Sequence, residues 1–132
     1  MSAKKIVVII EKTDTGFSAY AADFPVFTTG ASMNELIDNI TEAFSLFFED
    51  GKFEPSGISL EIDFKQFFQY YKVLNSKALA EKIGMNPTLL SQYVRGHKRP
   101  SQKQSQRILY GINQIGQELA EIRVIYEKRS KM

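Results

Sequence analysis

Five consecutive β-branched residues, Ile6 to Ile10, form a run with no polar interruption, and such a run predicts a buried strand. Thr13-Asp14-Thr15-Gly16 predicts a turn, with Gly16 able to take a positive φ. Phe17 to Asp23 reads as the second strand of a hairpin. Pro25 interrupts, Val26 to Thr29 reads as a short third strand, and Gly30 ends the sheet segment. Ser32 then caps a helix, and Glu35 three residues later completes a capping box. Met33, Leu36, Ile37, Ile40, Phe44, Phe47 and Phe48 follow at helical spacing as one broad apolar stripe. Glu35, Asp38, Asn39, Glu42 and Ser45 take the opposite face, and Glu49-Asp50-Gly51 ends the helix. Ile58, Leu60, Ile62 and Phe64 alternate with Ser59, Glu61 and Asp63, a period-two strand with an acidic solvent face. The first half is thus a β-β-β-α-β unit, and the fold class is α+β.

From Phe64 the period changes. Phe64, Phe67, Phe68 and Tyr71 stand at i, i+3, i+4 and i+7, which predicts a helix. Asn75 or Ser76 caps the next helix, which ends at Gly84. Asn86 caps another, with Pro87 at its first position, where a missing N–H costs nothing. That helix runs to Arg95 and stops at Gly96. A short basic loop, Gly96-His97-Lys98-Arg99-Pro100, leads to a long helical segment from Ser101. The second half is all-α. The modules divide near Asp63 to Gln66, giving residues 1–64 and 65–132, with no flexible linker between them.

Charge separates the halves. Residues 1–64 carry 4 Lys against 11 Asp and Glu, a net of −7, and residues 65–132 carry 13 Lys and Arg against 4 Glu, a net of +9. The basic half suits a polyanion. The acidic half repels one and suits a cationic partner. There is no cysteine, so a disulfide framework and a thiolate metal site are both excluded, as expected of a cytoplasmic protein. The run at Ile6 to Ile10 is too short for a signal peptide or a membrane span.

Two short helices joined by a tight turn, Ser76 to Ile83 and Pro87 to Arg95, are helix-turn-helix geometry. Leu79, Ala80, Ile83, Leu90 and Tyr93 or Val94 supply a small core, and Ala80 is small where the helices cross. The stretch LAEKIGMNPTLLSQYVRG, Leu79 to Gly96, with the His97-Lys98-Arg99-Pro100-Ser101 loop after it, resembles the lambda-repressor-like (XRE) helix-turn-helix family. The resemblance implies that the second helix enters the major groove. Asn86, Thr88, Ser91, Gln92 and Arg95 would then read bases. Asn75, Ser76, Lys77, Lys98 and Arg99 would hold phosphates. Pro87 and Ser76 depart from that family's usual polar residue and glutamine.

The first half resembles the HicB antitoxin N-terminal domain. Gly16-Phe17-Ser18, Asp23-Phe24-Pro25 and Thr28-Thr29-Gly30 carry the resemblance, while Val26-Phe27 departs from it. The resemblance implies a double-stranded-RNA-binding-like fold that has lost RNA contacts and covers the active site of a small basic ribonuclease toxin, HicA. Asp38, Glu42, Glu49, Glu61 and Asp63 would meet the toxin. The expected function is an antitoxin that also represses its own operon. The alternative is a free-standing repressor whose N-terminal module oligomerises or senses a small molecule.

Nothing in the pattern asks for catalysis, a metal or a cofactor. The single histidine, His97, has no neighbouring carboxylate to orient it as a base, and no phosphate loop or nucleophile motif is present. Ile108, Ile112, Ile115, Leu119, Ile122 and Tyr126 alternate in steps of four and three, a heptad-like seam. Two readings stay open for it: a seam joining two copies in a homodimer or higher homo-oligomer, or closure of the helix-turn-helix core by Ile108 to Ile115. Gly111 and Gly116 argue against one continuous helix, and Arg123 to Tyr126 also suits a terminal strand.

Overall fold

The computed structural model describes residues 5–48 and 57–130, with side chains through Arg123. It divides into two compact units, residues 1–71 and 72–132.

The first unit holds β1 (Ile6–Thr13), β2 (Gly16–Ala21), β3 (Phe27–Gly30), α1 (Met33–Phe47), β4 (Ile58–Ile62) and α2 (Phe64–Tyr70). The predicted order is observed, with β1 running further than the apolar run that announced it. The strands form one sheet in the order β3-β2-β1-β4. β1 pairs antiparallel with β2 and parallel with β4, which returns beside it after α1. Val8, Ile10, Ala19 and Ala21 point from the sheet into a core closed by Leu36, Ile40 and Phe44 of α1. The first half of the capping box forms as expected, Ser32 Oγ accepting from the Glu35 N–H at 3.1 Å, whereas the Glu35 carboxylate accepts from the N–H of Ala31, one residue before the cap. Gly16 is obligatory for space, because a Cβ there would overlap the Gly30 carbonyl across the β2–β3 ladder.

Two expectations need correction here. The division after Phe64 falls too early, since α2 packs against β1 and belongs to the first unit. Leu60 is not a core residue. It lies on the α1 side of β4, but β4 is an edge strand, and Leu60 stays 36% exposed beside Ile37 and Thr41.

The second unit holds α3 (Ser76–Ile83), α4 (Pro87–Val94) and α5 (Gln102–Ser130). Leu79, Ala80, Met85, Leu90, Tyr93 and Ile108 are buried. Ala80 is fully buried, the small residue where the helices meet. α5 is one continuous helix through both glycines, and Arg123 to Tyr126 is helical rather than extended. Gly111 explains this. It lies against Leu79 and Ile83 of α3, and a Cβ there would run into the Ile83 side chain. It is a close-packing residue, not a helix breaker. Among the described residues, no helix is long and apolar enough to cross a membrane.

Candidate functional site

Local side-chain chemistry sets the ends of both short helices. Asn75 caps α3, its Oδ1 accepting from the Ala78 N–H at 3.0 Å. At the other end Gly84 takes the left-handed conformation (φ 69°), and the next amide, that of Met85, donates back to the Ala80 carbonyl at 2.9 Å. Met85 is the one apolar residue of the turn, and it is buried (4% exposed), pinning the turn to the core. Asn86 caps α4: its Oδ1 accepts from the N–H groups of Thr88 at 2.8 Å and Leu89 at 3.4 Å. Pro87 occupies the first position of α4, as expected.

α4 buries Leu90 and Tyr93. The opposite stripe then carries Thr88, Ser91, Gln92 and Arg95 at i, i+3, i+4 and i+7, side chains that neighbour one another on a helix. Thr88 and Arg95 are exposed, Ser91 and Gln92 half-buried. Past α4, the His97 and Lys98 N–H groups both donate to the Gln92 carbonyl, at 2.8 and 3.2 Å, which folds the basic loop back on the helix end. Lys77, Lys98 and Arg99 are exposed. Ser101 caps α5 through its Oγ and the Gln104 N–H.

The structure redefines what three predicted residues can offer. Asn86 and Asn75 commit their Oδ1 atoms to the caps, so each presents its Nδ2 donors outward. Asn86 can therefore meet an acceptor on a base edge but cannot grip adenine through both of its atoms. Ser76 is not the cap. It is the first residue of α3, half-buried, with its backbone N–H at the positive end of the helix dipole. Arg107 was not predicted. Its guanidinium donates to the carbonyls of Ile83 (3.0 Å) and Gly84 (3.1 Å) and to Gln104 Oε1, locking the end of α3 to α5. Its two carbonyl partners lie 23 and 24 positions away, so no local pattern announces the contact with α3. It lines an open groove of about 620 Å³ with Lys82, Lys103 and Tyr110, where Lys82 pairs with Glu118 at 3.2 Å.

The acidic positions of the first unit do not form one surface. Asp38 and Glu42 are exposed on the outer side of α1. Glu61 pairs in register with Ile9, whose neighbours Val8 and Ile10 point into the core beneath α1. Strand alternation therefore puts Glu61 on the opposite face of the sheet. Asp63 is half-buried and caps α2, its Oδ1 accepting from the Gln66 N–H at 3.1 Å. Glu49 lies outside the described residues. The open sheet face was missed in the sequence. It carries Ile9, Tyr20 and Phe27, aligned across three strands by the Ile9–Tyr20 and Tyr20–Phe27 pairs. Tyr20 is 38% and Phe27 65% exposed. The Tyr20 hydroxyl titrates above its ordinary value, through partial desolvation and then the nearby negative charges of Glu11 and Asp63.

Residues 74–113 match the helix-turn-helix family model, covering α3, the turn, α4 and the first part of α5. No curated protein and no solved structure matches the chain.

Proposed function

We propose that this chain is a cytoplasmic DNA-binding transcriptional regulator and antitoxin: its second unit reads an operator, and its first unit neutralises a small basic ribonuclease of the HicA kind. The observation that carries the proposal is the α4 stripe. Thr88, Ser91, Gln92 and Arg95 share one face of a short helix whose other face is buried, and the flanking loop supplies Lys98 and Arg99. A helix so placed fits the major groove, where Gln92 meets an adenine edge, Arg95 a guanine or a phosphate, and Thr88 a thymine methyl.

The charge of each unit supports the division of labour. Residues 72–132 carry 12 Lys and Arg against 4 Glu, a net of +8, and residues 1–71 carry 5 Lys against 11 Asp and Glu, a net of −6. The first unit repels phosphate and attracts a cationic protein, speeding encounter and disfavouring wrong partners. In this proposal the chain performs no catalysis. It holds its toxin and represses the operon that encodes both.

The test is to purify the tagged full-length chain from its native host and identify any small basic companion by mass spectrometry. A stoichiometric companion whose ribonuclease activity is silent in the complex and returns on separation is the expected result. A chain that emerges alone, and selects one DNA sequence from a random pool, would be a free-standing repressor instead.

A further inference from the structure

The geometry points to the open face of the β3-β2-β1-β4 sheet, centred on Phe27, Tyr20 and Ile9 with Glu11 and Glu61 beside them, as the docking surface for a cationic polypeptide. This deepens the neutralising role proposed for the first unit and rests on it. It also moves the contact away from the outer side of α1, where Asp38 and Glu42 stand.

The register assembles the face. Phe27, Tyr20, Ile9 and Glu61 are paired neighbours on consecutive strands, so they make one row across all four strands. Glu11 pairs with Ser18 and lies one step further along β1 on the same face. The other face of the sheet is closed by α1. A row of two exposed aromatic rings and a half-buried isoleucine, bordered by carboxylates, is the anatomy of an interface: aromatic anchors in the centre and charge at the rim. The outer side of α1 carries Glu35, Asp38, Glu42 and Ser45 with a single exposed apolar side chain, Leu46, and no row of aromatic rings.

Charge selects the occupant. A nucleic acid or an anionic lipid surface would bring phosphates against Glu11, Glu61 and Asp63 in a unit of net −6. A second copy of this unit would bring the same net charge against itself. A polypeptide bearing Arg or Lys beside apolar side chains satisfies both halves of the face. Its cations meet the carboxylates and the faces of Tyr20 and Phe27, and its apolar side chains cover Ile9.

The experiment uses the isotope-labelled full-length chain titrated with a synthetic decapeptide alternating Arg and Leu. Expected are saturable shifts of the amides of Ile9, Glu11, Tyr20 and Phe27. Phe27→Ser combined with Glu11→Gln should weaken binding roughly tenfold or more, the scale of losing a central aromatic anchor. Asp38→Asn combined with Glu42→Gln should leave it within about twofold, as expected for rim charges. Both pairs alter exposed or half-buried positions, and retained amide dispersion shows that each variant folds. Shifts confined to α1, or a loss confined to the α1 variant, would overturn the assignment. So would self-association that vanishes with Phe27→Ser, which would mean that a second copy occupies the face. Where a ribonuclease companion is found but the Phe27→Ser, Glu11→Gln chain still silences it, this assignment fails and the antitoxin reading stands. Where the peptide docks as described and no companion exists, the antitoxin reading fails and the docking face stands.

Discussion

Lys12 and Gln66 exchange two hydrogen bonds across 54 positions of sequence: the Lys12 backbone N–H donates to Gln66 Oε1 at 2.8 Å, and Gln66 Nε2 donates to the Lys12 carbonyl at 2.7 Å. β4 pairs with β1 only from Ile6 to Ile10, and Asp63 adds one further bond to the Ile10 carbonyl. Beyond that point the primary amide of Gln66 stands in for a peptide group and extends the ladder. The Lys12 ammonium secures the same corner, donating to the carbonyls of Thr13 (2.6 Å) and Gly16 (2.9 Å) and lying over the rings of Phe17 and Tyr70. Gln66→Ala should therefore destabilise the first unit by about 1–3 kcal/mol, because it leaves two partly buried backbone groups without this partner. Hydrogen exchange of the β1 and β2 amides checks it. Faster exchange in β1 and β2, with α3 and α4 unchanged, is the expected pattern, and uniform protection in both units would show that the amide pair contributes nothing.

Two glycines of one helix should respond with opposite signs. A methyl at Gly111 runs into Ile83, so Gly111→Ala overpacks the α3–α5 contact and should cost about 1–3 kcal/mol. Gly116 has nothing near its missing Cβ, so Gly116→Ala should stabilise α5 by up to about 1 kcal/mol through helix propensity alone. Urea denaturation followed by helical circular dichroism reads both. Equal shifts in the two variants would mean that α5 does not pack on α3 at Gly111.

What the sequence made legible was local. Ser32 with Glu35, Asn75, Gly84, Asn86 and Pro87 all act within about one helical turn of their own positions, and all are readable in the sequence, Asn75 as one of two candidate caps beside Ser76. What it concealed depends on strand order. Glu61 and Asp38 look alike as acidic positions on solvent faces. They lie on opposite sides of the sheet because β4 returns parallel to β1 with α1 packed on only one side. The same return assembles Phe27, Tyr20 and Ile9 from three strands into one row. Gly111 was misread for a related reason: helix propensity is a local property, and the space a Cβ would need is set by Ile83 on another helix. The heptad-like seam of α5 divides at this crossing. Ile108 is buried, Ile112 and Ile115 are half-buried, and Leu119 and Ile122 are each 61% exposed. The first part closes the helix-turn-helix core, and the later part lies outside it. The Tyr126 side chain falls outside the described residues.

Arg107 should matter more than its place on an amphipathic helix suggests. Arg107→Met keeps the length of the stem but removes the donors to the Ile83 and Gly84 carbonyls at the end of α3. A loss of about 1–3 kcal/mol is expected, the cost of leaving the part-buried Ile83 carbonyl unpaired after a charged donor is removed, while the exposed Gly84 carbonyl can turn to water. Lys82→Met breaks only the exposed pair with Glu118 and should change stability by less than about 1 kcal/mol. Thermal melts of the two variants under one buffer separate these outcomes, and an Arg107→Met chain as stable as the parent would mean that the carbonyls are served equally well by water.

The division between reading and holding DNA gives the sharpest test of the second unit. Gln92 stands in the middle of the outward stripe of α4, while Lys98 stands in the loop beyond it. Gln92→Ala should cost about 1–3 kcal/mol on the selected operator and much less on other sequences, so specificity relaxes at one base pair. Lys98→Ala should weaken binding to every sequence alike and lower the slope of log affinity against log salt by about one. The two signatures follow from physics that does not overlap. A bidentate contact exists only where the right base edge is present, whereas counterion release depends on phosphate and not on sequence. Binding isotherms on the operator and on a scrambled duplex, at three salt concentrations, separate them. If Gln92→Ala lowers both affinities equally, α4 does not lie in the major groove with this stripe facing the bases.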